Sequence, residues 1–287
     1  MSTKVSTLDQ EWTTIIRPKT GWFDINLREL WQYRDLIILF VRRDFVAVYK
    51  QTILGPIWFF LQPLFTTIMF TVVFGNIAKI STDGLPPMLF YMSGTVMWNY
   101  FQECINKTSM TFISNANIFG KVYFPRLAVP ISIVITNLLT FGLQFLFFIG
   151  FMVYFGATGA HFTPNIYMLM TPVYLLMMAA LGLGLGIIVS AMTTKYRDLR
   201  FLVTFGVQLL MYGTPVVYPL SEVPEKYVPF LLANPMTPIV EGFRYAFLGT
   251  GTFRAEYMWV SAGSIAVILV IGVILFSRVE KTFMDTV

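Results

Sequence analysis

The chain has 287 residues, of which 56% are hydrophobic, 17% aromatic and 12% charged, and its formal net charge is +5. Soluble domains carry about 25% charged residues, so this composition excludes an ordinary soluble protein and indicates a single integral membrane domain. The single cysteine, Cys104, excludes an internal disulfide and a cysteine-based metal cluster, and the single histidine, His161, excludes a histidine-based metal site.

Residues 1–23 show no apolar periodicity and are predicted to form a flexible arm. From 24 to 50 the apolar residues recur at steps of three and four, which predicts an amphipathic helix lying in the membrane plane. Because the first long apolar run starts only at Ile53, too late for a cleavable signal peptide, we expect the N-terminus to be retained. We therefore divide the chain into a cytoplasmic arm with an interface helix, residues 1–50, and a transmembrane domain, residues 51–287.

Six apolar segments predict six transmembrane helices in an all-α membrane fold. They cover residues 53–75, 88–102, 127–156, 166–194, 201–220 and 259–276. Pro63 is expected to kink the first span, and Gly182, Gly184 and Gly186 permit either close helix packing or a flexible point in the fourth. The residues 213–215, Gly-Thr-Pro, are expected to interrupt the fifth span. Two apolar pieces between the last two spans, 228–233 and 236–248, are too short to cross, so we predict that they are re-entrant or interfacial.

The distribution of cations predicts the orientation of the chain. With the N-terminus inside, 16 of the 20 Lys and Arg residues fall in cytoplasmic segments. Cytoplasmic loops of membrane proteins are enriched in Lys and Arg. Both termini are therefore predicted to face the cytoplasm, and the positive net charge indicates membrane topology rather than nucleic-acid binding.

Several kinds of chemistry have no residues to support them. No G-x-x-x-x-G-K-[ST] motif occurs, so the chain cannot hydrolyse ATP by that route. Ion-coupled carriers bury charged residues inside spans, but the first, fourth and sixth spans have none and Glu103 lies only at the edge of the second. Paired carboxylates within the membrane, and a nucleophile with a histidine near it, are also missing. By elimination the chain moves or holds something and takes energy from a partner, which we expect at the cytoplasmic face.

The segment 115–130, NANIFGKVYFPRLAVP, is the best candidate to meet that partner. Its start is too polar for lipid, yet it carries apolar residues from Ile118 to Phe124 that need a cover. The alternative is a short interfacial helix resting on lipid headgroups.

Four stretches carry a more specific signal. They are LWQYRDLIILFVRRDFVAVYKQTILGPIW at 30–58, NANIFGKVYFPRLAVP at 115–130, KYRDLR at 195–200 and NPMTPIVEGFRYAFLG at 234–249. In these stretches, which are spread over nearly the whole chain, the sequence resembles the membrane subunit of bacterial ABC exporters for cell-surface polysaccharides, the O-antigen and teichoic-acid class.

The resemblance implies an assembly of two copies of this chain with two separate ATP-hydrolysing subunits in the bacterial inner membrane. The partner subunits bind ATP and magnesium, so no cofactor, metal or catalytic residue is expected in this chain. The substrate implied is an undecaprenyl-linked glycan, which meets the interface helix near the cytoplasmic surface. Residues 109–121 correspond to the coupling helix, and 228–249 to re-entrant gate helices at the outer mouth.

Individual residues are assigned on the same basis, each beside a plainer alternative. Channel-lining aromatics, which otherwise anchor or pack helices, are Trp58, Phe59, Tyr91, Trp98, Tyr100, Tyr212 and Tyr218. Cations for the pyrophosphate of the lipid carrier, or for anionic lipid in general, are Arg42, Arg43 and Lys50. Contacts to the ATPase subunit are assigned to Asn115, Asn117, Phe119, Lys121, Val122 and Tyr123. Glu241 and Arg244 lock the outer gate or form a helix-stabilising pair.

Two other functions are weighed against this one. A permease of the same fold could export drugs or small lipids, although fewer aromatic residues and a different coupling segment would favour it. A secondary carrier or channel would need a buried carboxylate or a filter-like motif, and the six predicted spans contain neither.

Overall fold

Helices make up the regular structure throughout the computed structural model, which describes residues 27–50, 52–196 and 198–286. The predicted arm, 1–23, and the first residues of the predicted interface helix lie outside the described residues. The described helices are α1 (Leu27–Gln32), α2 (Arg34–Tyr49), α3 (Trp58–Phe70), α4 (Pro87–Thr108), α5 (Thr111–Phe119), α6 (Ala128–Ala157), α7 (Thr171–Thr193), α8 (Leu199–Tyr212), α9 (Val228–Ala233), α10 (Met236–Leu248) and α11 (Ala255–Thr286). No strand occurs among these residues, which confirms the predicted all-α class.

Four helical segments are long and apolar enough to cross a membrane. They are Trp58–Ile77, Ala128–Ala157, Ile166–Thr193 and Ala255–Glu280, and they correspond to the predicted first, third, fourth and sixth spans. The first continues from α3 into a π-helix, Thr71–Ile77, and passes through Pro63 without a break in the helix. The segment Ile166–Thr193 starts with a 3₁₀-helix, Ile166–Met170. The predicted second and fifth spans are α4 and α8, and their crossing of the membrane stays a prediction.

The helix α4 lies among the other helices rather than at the lipid surface. Fifteen of its 22 residues are buried, and it packs against α3, α6, α7, α8 and α10. The sequence predicted this helix only to residue 102, and the polar residues Glu103, Asn106 and Lys107 follow directly. Polar residues are tolerated in a membrane helix where protein, rather than lipid, surrounds them. The enclosure of α4 therefore explains why the helix continues to Thr108.

Glycines bring α7 into close contact with two neighbours. A Cβ at Gly182 would lie 2.7 Å from the Cβ of Cys104, and one at Gly186 would lie 2.6 Å from the Cβ of Thr108. On another face of α7, a Cβ at Gly184 would lie 3.0 Å from the Cα of Leu269. Small residues allow such backbone approach between membrane helices. These glycines therefore act as packing points for α4 and α11.

The helix of the predicted fifth span ends where the sequence predicted an interruption. The sequence suggested residues 201–220 interrupted at 213–215, and α8 ends at Tyr212 after 14 residues, or about 21 Å. The residue before a proline is disfavoured in the helical region, and Pro215 follows shortly after the helix end. The next carbonyl groups, of Pro215 and Val216, accept hydrogen bonds from Arg244 rather than from a continuing helix. The two short pieces predicted at 228–233 and 236–248 are helical over the same residues, as α9 and α10.

Candidate functional site

A cavity of about 210 Å³ lies between α3, α4 and α6, and we call it the polar cleft. Polar and aromatic side chains line it from all three helices. They are Trp58, Phe59, Gln62, Asn99, Tyr100, Gln102, Glu103, Lys107, Asn137, Thr140, Phe141 and Gln144.

Helical spacing places these residues on facing stripes. On α6, Asn137, Thr140 and Gln144 are separated by three and four residues, so they share one face of a mostly apolar helix. On α4, Asn99 and Glu103 repeat the same interval. Because lipid cannot hydrogen-bond to side chains, the two stripes turn toward each other and toward the cavity.

The charges in the polar cleft neutralise each other. Lys107 Nζ lies 2.9 Å from Glu103 Oε2 and donates a 3.1 Å hydrogen bond to Asn137 Oδ1. Asn137 Nδ2 in turn lies 3.7 Å from the Cys104 sulfur, to which it donates. The paired charges leave a surface of amide, hydroxyl and aromatic groups. Such a surface suits a neutral, hydroxyl-rich ligand better than an isolated ion.

The structure brings three of the seven predicted channel aromatics into the polar cleft. Trp58 is 48% exposed, the ring of Phe59 stacks on Phe45 with centroids 5.8 Å apart, and Tyr100 packs edge-on against Phe141 at 5.6 Å. These rings come from both α3 and α4, so they give the cleft an aromatic wall next to its amides.

The other four aromatics lie elsewhere. Tyr91 and Trp98 are buried in the helical core, where Tyr91 packs on Phe70 and the Trp98 indole donates a 2.8 Å hydrogen bond to Gln102 Oε1. Tyr212 is half exposed at the end of α8, and the Tyr218 hydroxyl donates to the Tyr212 carbonyl at 2.9 Å.

Sequence reasoning selected only Trp58, Phe59 and Tyr100 among the residues that line the polar cleft. The polar residues that it did not select include Gln62, Asn137, Thr140 and Gln144. For the three residues on α6, the sequence did contain a signal. It is the interval of three and four residues between polar positions within a long apolar span.

The segment predicted to face the cytoplasm consists of α5 and residues 120–126, and we call it the cytoplasmic segment after that prediction. Its predicted docking residues are divided between two sides. Asn117, Lys121, Val122 and Tyr123 are exposed, with Val122 at 60% and Tyr123 at 50%. Asn115 and Phe119 are buried, and the Asn115 amide donates to the Thr111 carbonyl at 3.0 Å. A partner could therefore contact the first group directly, whereas the second holds the segment in place.

Aromatic rings tie the cytoplasmic segment to the rest of the protein. Phe124 packs edge-on against Phe40 of α2 at 5.7 Å, and Phe112 stacks on Phe276 of α11 at 4.6 Å. The Tyr123 hydroxyl donates a 3.0 Å hydrogen bond to Glu29 of α1. The segment is thus packed between the N-terminal helices and the last helix. A displacement of the segment would therefore also displace these helices.

Arg126 links the cytoplasmic segment to α11. Its guanidinium donates to the Glu280 carbonyl oxygen and lies 5.5 Å from the ring centroid of Phe119. Burial lowers the pKa of Arg126 from its ordinary value, and the Glu280 carboxylate opposes that shift. The ordinary pKa of arginine is far above physiological pH, so Arg126 stays charged and its contact with Glu280 persists.

The three cations assigned to the lipid carrier lie along α2 and directly after it, and all are exposed. Arg43 pairs with Asp44 at 2.7 Å and lies 4.8 Å from the ring centroid of Phe40. Among the described residues, Arg42 and Lys50 form no salt bridge. These two side chains keep their full charge available to an anionic group.

The predicted gate pair forms a buried hub around Arg244. Its guanidinium is 1% exposed and donates to Glu241 Oε1 at 3.0 Å and to the Pro215 and Val216 carbonyls at 2.7 and 2.9 Å. Arg244 also donates to Ser93 Oγ at 3.3 Å. The predicted pairing three residues apart is therefore observed, and it joins α4, the turn after α8 and α10. We call this group the Arg244 hub.

Two further contacts complete the hub. The guanidinium carbon lies 3.9 Å from the ring centroid of Phe90, and the second Glu241 oxygen accepts a 3.1 Å hydrogen bond from the Thr252 N–H. A buried charge is stabilised when its hydrogen-bonding groups are satisfied, and a cation over an aromatic face gains further attraction.

Comparisons with known proteins agree with the resemblance in the sequence. The family described as ABC-2 type transporter matches residues 35–248. An O-antigen export system permease protein, RfbA, from Klebsiella pneumoniae is 26% identical over 252 residues, 88% of this chain and 94% of that protein. The RfbA protein of Myxococcus xanthus is 27% identical over 263 residues, 91% and 98% of the two chains. The polysialic acid transport protein KpsM of Escherichia coli is 22% identical over 194 residues, 67% and 73%.

Proposed function

The chain belongs to the ABC-2 type transporter family, and on this premise we propose that it is the membrane subunit of an ATP-driven exporter of cell-surface polysaccharide. The relatives named for O-antigen export and polysialic acid transport support this substrate class. The structural observation that carries the proposal is the polar cleft, where three helices present neutral hydrogen-bonding groups beside aromatic rings.

The proposed substrate is a glycan linked to undecaprenyl pyrophosphate, as in O-antigen export. Sugars expose C–H faces that pack on aromatic rings and hydroxyls that exchange hydrogen bonds with amides. Trp58, Phe59 and Tyr100 supply the rings, and Gln62 and Gln144 supply amides in the polar cleft. Because neither kind of contact demands one geometry, a chain of sugars can advance through such a path. Trp98 acts indirectly in this scheme by orienting the Gln102 amide.

Energy comes from a separate ATPase subunit, because the chain carries no P-loop motif. The proposed assembly has two copies of each subunit, and ATP and magnesium bind to the ATPase. That subunit docks on Asn117, Lys121, Val122 and Tyr123. When ATP closes the ATPase pair, the cytoplasmic segment moves and pushes on α2 and α11 through the Phe124–Phe40 and Phe112–Phe276 contacts.

The two ends of the proposed path use charge. Arg42, Arg43 and Lys50 contact the pyrophosphate of the lipid carrier as it reaches the cytoplasmic surface, since cations form strong hydrogen bonds to phosphate oxygens. At the outer mouth, the Arg244 hub holds α10 against α4 and closes the gate. In the proposed assembly the chain lies in the bacterial inner membrane with both termini in the cytoplasm.

Disruption of the gene in the bacterium that carries it, followed by complementation, tests this function. The expected result is loss of surface polysaccharide with accumulation of lipid-linked glycan inside the cell, and recovery with the native gene. An unchanged surface polysaccharide would refute the proposal and would favour export of a small lipid or drug.

A further inference from the structure

A second cavity, of about 230 Å³, lies between the segment 220–232 and the start of α11. It is separate from the polar cleft, and we call it the gate pocket because Glu241 of the Arg244 hub forms part of its wall. Apolar side chains such as Leu232 and Met258 line part of it. The polar and aromatic side chains that face it are Ser221, Glu225, Glu241, Thr252, Arg254 and Tyr257.

Two charged groups in the gate pocket are available to a ligand. Glu225 and Arg254 are exposed, and among the residues that the structure describes neither forms a salt bridge. The Arg254 guanidinium lies 5.9 Å from the ring centroid of Tyr257, whose side chain is half-buried. A carboxylate, a guanidinium and an aromatic ring therefore line one cavity.

The innermost polar group of the gate pocket is already oriented. The second oxygen of Glu241 accepts hydrogen bonds from the Thr252 N–H at 3.1 Å and from the Thr252 hydroxyl at 3.4 Å, while the first oxygen faces Arg244. The Glu241 carboxylate cannot rotate freely, so it presents a fixed acceptor edge beside Thr252.

This set of groups selects among ligand chemistries. A phosphate headgroup would face two carboxylates for one available guanidinium, so its binding is disfavoured. A metal ion is also disfavoured, because no group of three metal-ligating side chains occurs within the described residues. A pyranose ring fits, since its hydroxyls can both donate to carboxylates and accept from a guanidinium, and its C–H face can pack on Tyr257.

We propose that the gate pocket binds a single sugar ring of the exported glycan. This inference rests on the proposed function. A ring in the gate pocket lies beside the Glu241 carboxylate that holds Arg244, so the glycan touches the gate pair directly rather than passing at a distance.

The test measures binding of an oligosaccharide to the complex of this chain with its ATPase subunit in lipid nanodiscs. The probe is the repeat-unit oligosaccharide released by mild acid from the surface polysaccharide of the bacterium that carries the chain. Saturation-transfer NMR compares the native complex with Glu225→Leu, Tyr257→Ala and Tyr257→Phe. The matched control is Glu222→Leu, an exposed carboxylate on the same segment that does not line the gate pocket.

We expect Glu225→Leu and Tyr257→Ala to weaken binding at least fivefold, and Tyr257→Phe and Glu222→Leu to stay within twofold of the native complex. Equal binding by all variants would overturn the inference. So would displacement of the probe by dihexanoyl phosphatidylglycerol, which would show a lipid-headgroup site.

Failure of the inference is distinguishable from failure of the function. If the native complex does not bind the probe while gene disruption still abolishes surface polysaccharide, the gate pocket is not a sugar site and the exporter function stands. If disruption leaves surface polysaccharide unchanged, the function itself is refuted, and the gate pocket inference falls with it.

Discussion

The guanidinium of Arg244 lies 3.0 Å from the carboxylate of Glu241, and both side chains are almost wholly buried, with 1% and 2% of their surface exposed. Charged residues are rarely buried to this extent unless they are paired. The pair lies in α10, of whose 13 residues only Tyr245 is not buried. A short helix at this depth can carry the charges because the guanidinium also reaches two carbonyls and Ser93.

The first prediction concerns the removal of one partner of this pair. Arg244→Met leaves the Glu241 carboxylate buried without its cation, and losing one member of a buried pair costs about 3–5 kcal/mol. We expect a large fall in the thermal unfolding temperature of the purified protein, measured by intrinsic fluorescence in detergent. The double variant Arg244→Met with Glu241→Leu should regain part of the loss, because it removes the uncompensated charge as well.

Lys226→Met is the matched control for this experiment, since Lys226 is an exposed cation of the neighbouring segment without a salt bridge among the described residues. We expect its unfolding temperature to stay near the native value. An Arg244→Met protein as stable as the control would show that the Arg244 hub does not hold α10 in place.

The second prediction tests the close packing of α7. Gly186→Ala places a methyl group where the Cβ of Thr108 lies only 2.6 Å away, and Gly182→Ala meets the Cβ of Cys104 at 2.7 Å. Overpacking of this kind costs about 1–3 kcal/mol. Thermal unfolding should therefore occur at lower temperature in both variants. Gly142→Ala on α6, whose added methyl meets nothing within 4 Å, serves as the control, and an equal effect there would contradict the packing account.

The third prediction concerns the polar cleft. Gln62→Leu and Gln144→Leu remove amides that line the cavity, and neither amide has a hydrogen-bond partner to lose among the described residues. The fold should therefore persist while contacts with the substrate are lost. At about 0.5–1.5 kcal/mol for each hydrogen bond, we expect each variant to lower surface polysaccharide several-fold at unchanged protein level.

Surface polysaccharide is measured by gel electrophoresis of cell extracts, and membrane protein level by immunoblot. Leu139→Met on the exposed side of α6 is the control, because Leu139 is 46% exposed and does not line the polar cleft. If both glutamine variants export as the control does, the glycan does not use this cleft.

The sequence was a good guide where length and hydropathy decide the structure. The helices of the first, third, fourth and sixth predicted spans lie close to the expected residues, and α9 and α10 have the predicted bounds. The sequence was less informative where tertiary contacts determine the structure. The extension of α4 past Gln102 depends on neighbours such as Asn137, and the burial of Arg244 depends on the carbonyl groups that follow α8.

In the candidate site, too, residue types could be read from the sequence, whereas residue positions depend on packing. Aromatic residues were easy to select, yet the interior position of Tyr91 and Trp98 and the cleft position of Tyr100 depend on how α4 faces its neighbours. In the cytoplasmic segment, Phe119 and Val122 look alike in a sequence. In the structure, Phe119 packs within an aromatic cluster, whereas Val122 is exposed. Only packing determines this difference.

Co-purification of an ATPase subunit with this chain tests the central claim most directly. The native protein, a Val122→Ser/Tyr123→Ser variant and a Val153→Ser/Tyr154→Ser control are isolated from membranes in mild detergent. The control pair has the same residue types and similar exposure, 65% and 62%, but lies on α6 away from the cytoplasmic segment.

We predict that the native protein and the control bring down an ABC ATPase, and that the Val122→Ser/Tyr123→Ser variant brings down at most about a tenth as much, since an exposed apolar contact is lost with each residue. An equal yield from all three would move the docking site away from Val122 and Tyr123. A native protein that purifies without any ATPase would contradict the exporter account itself.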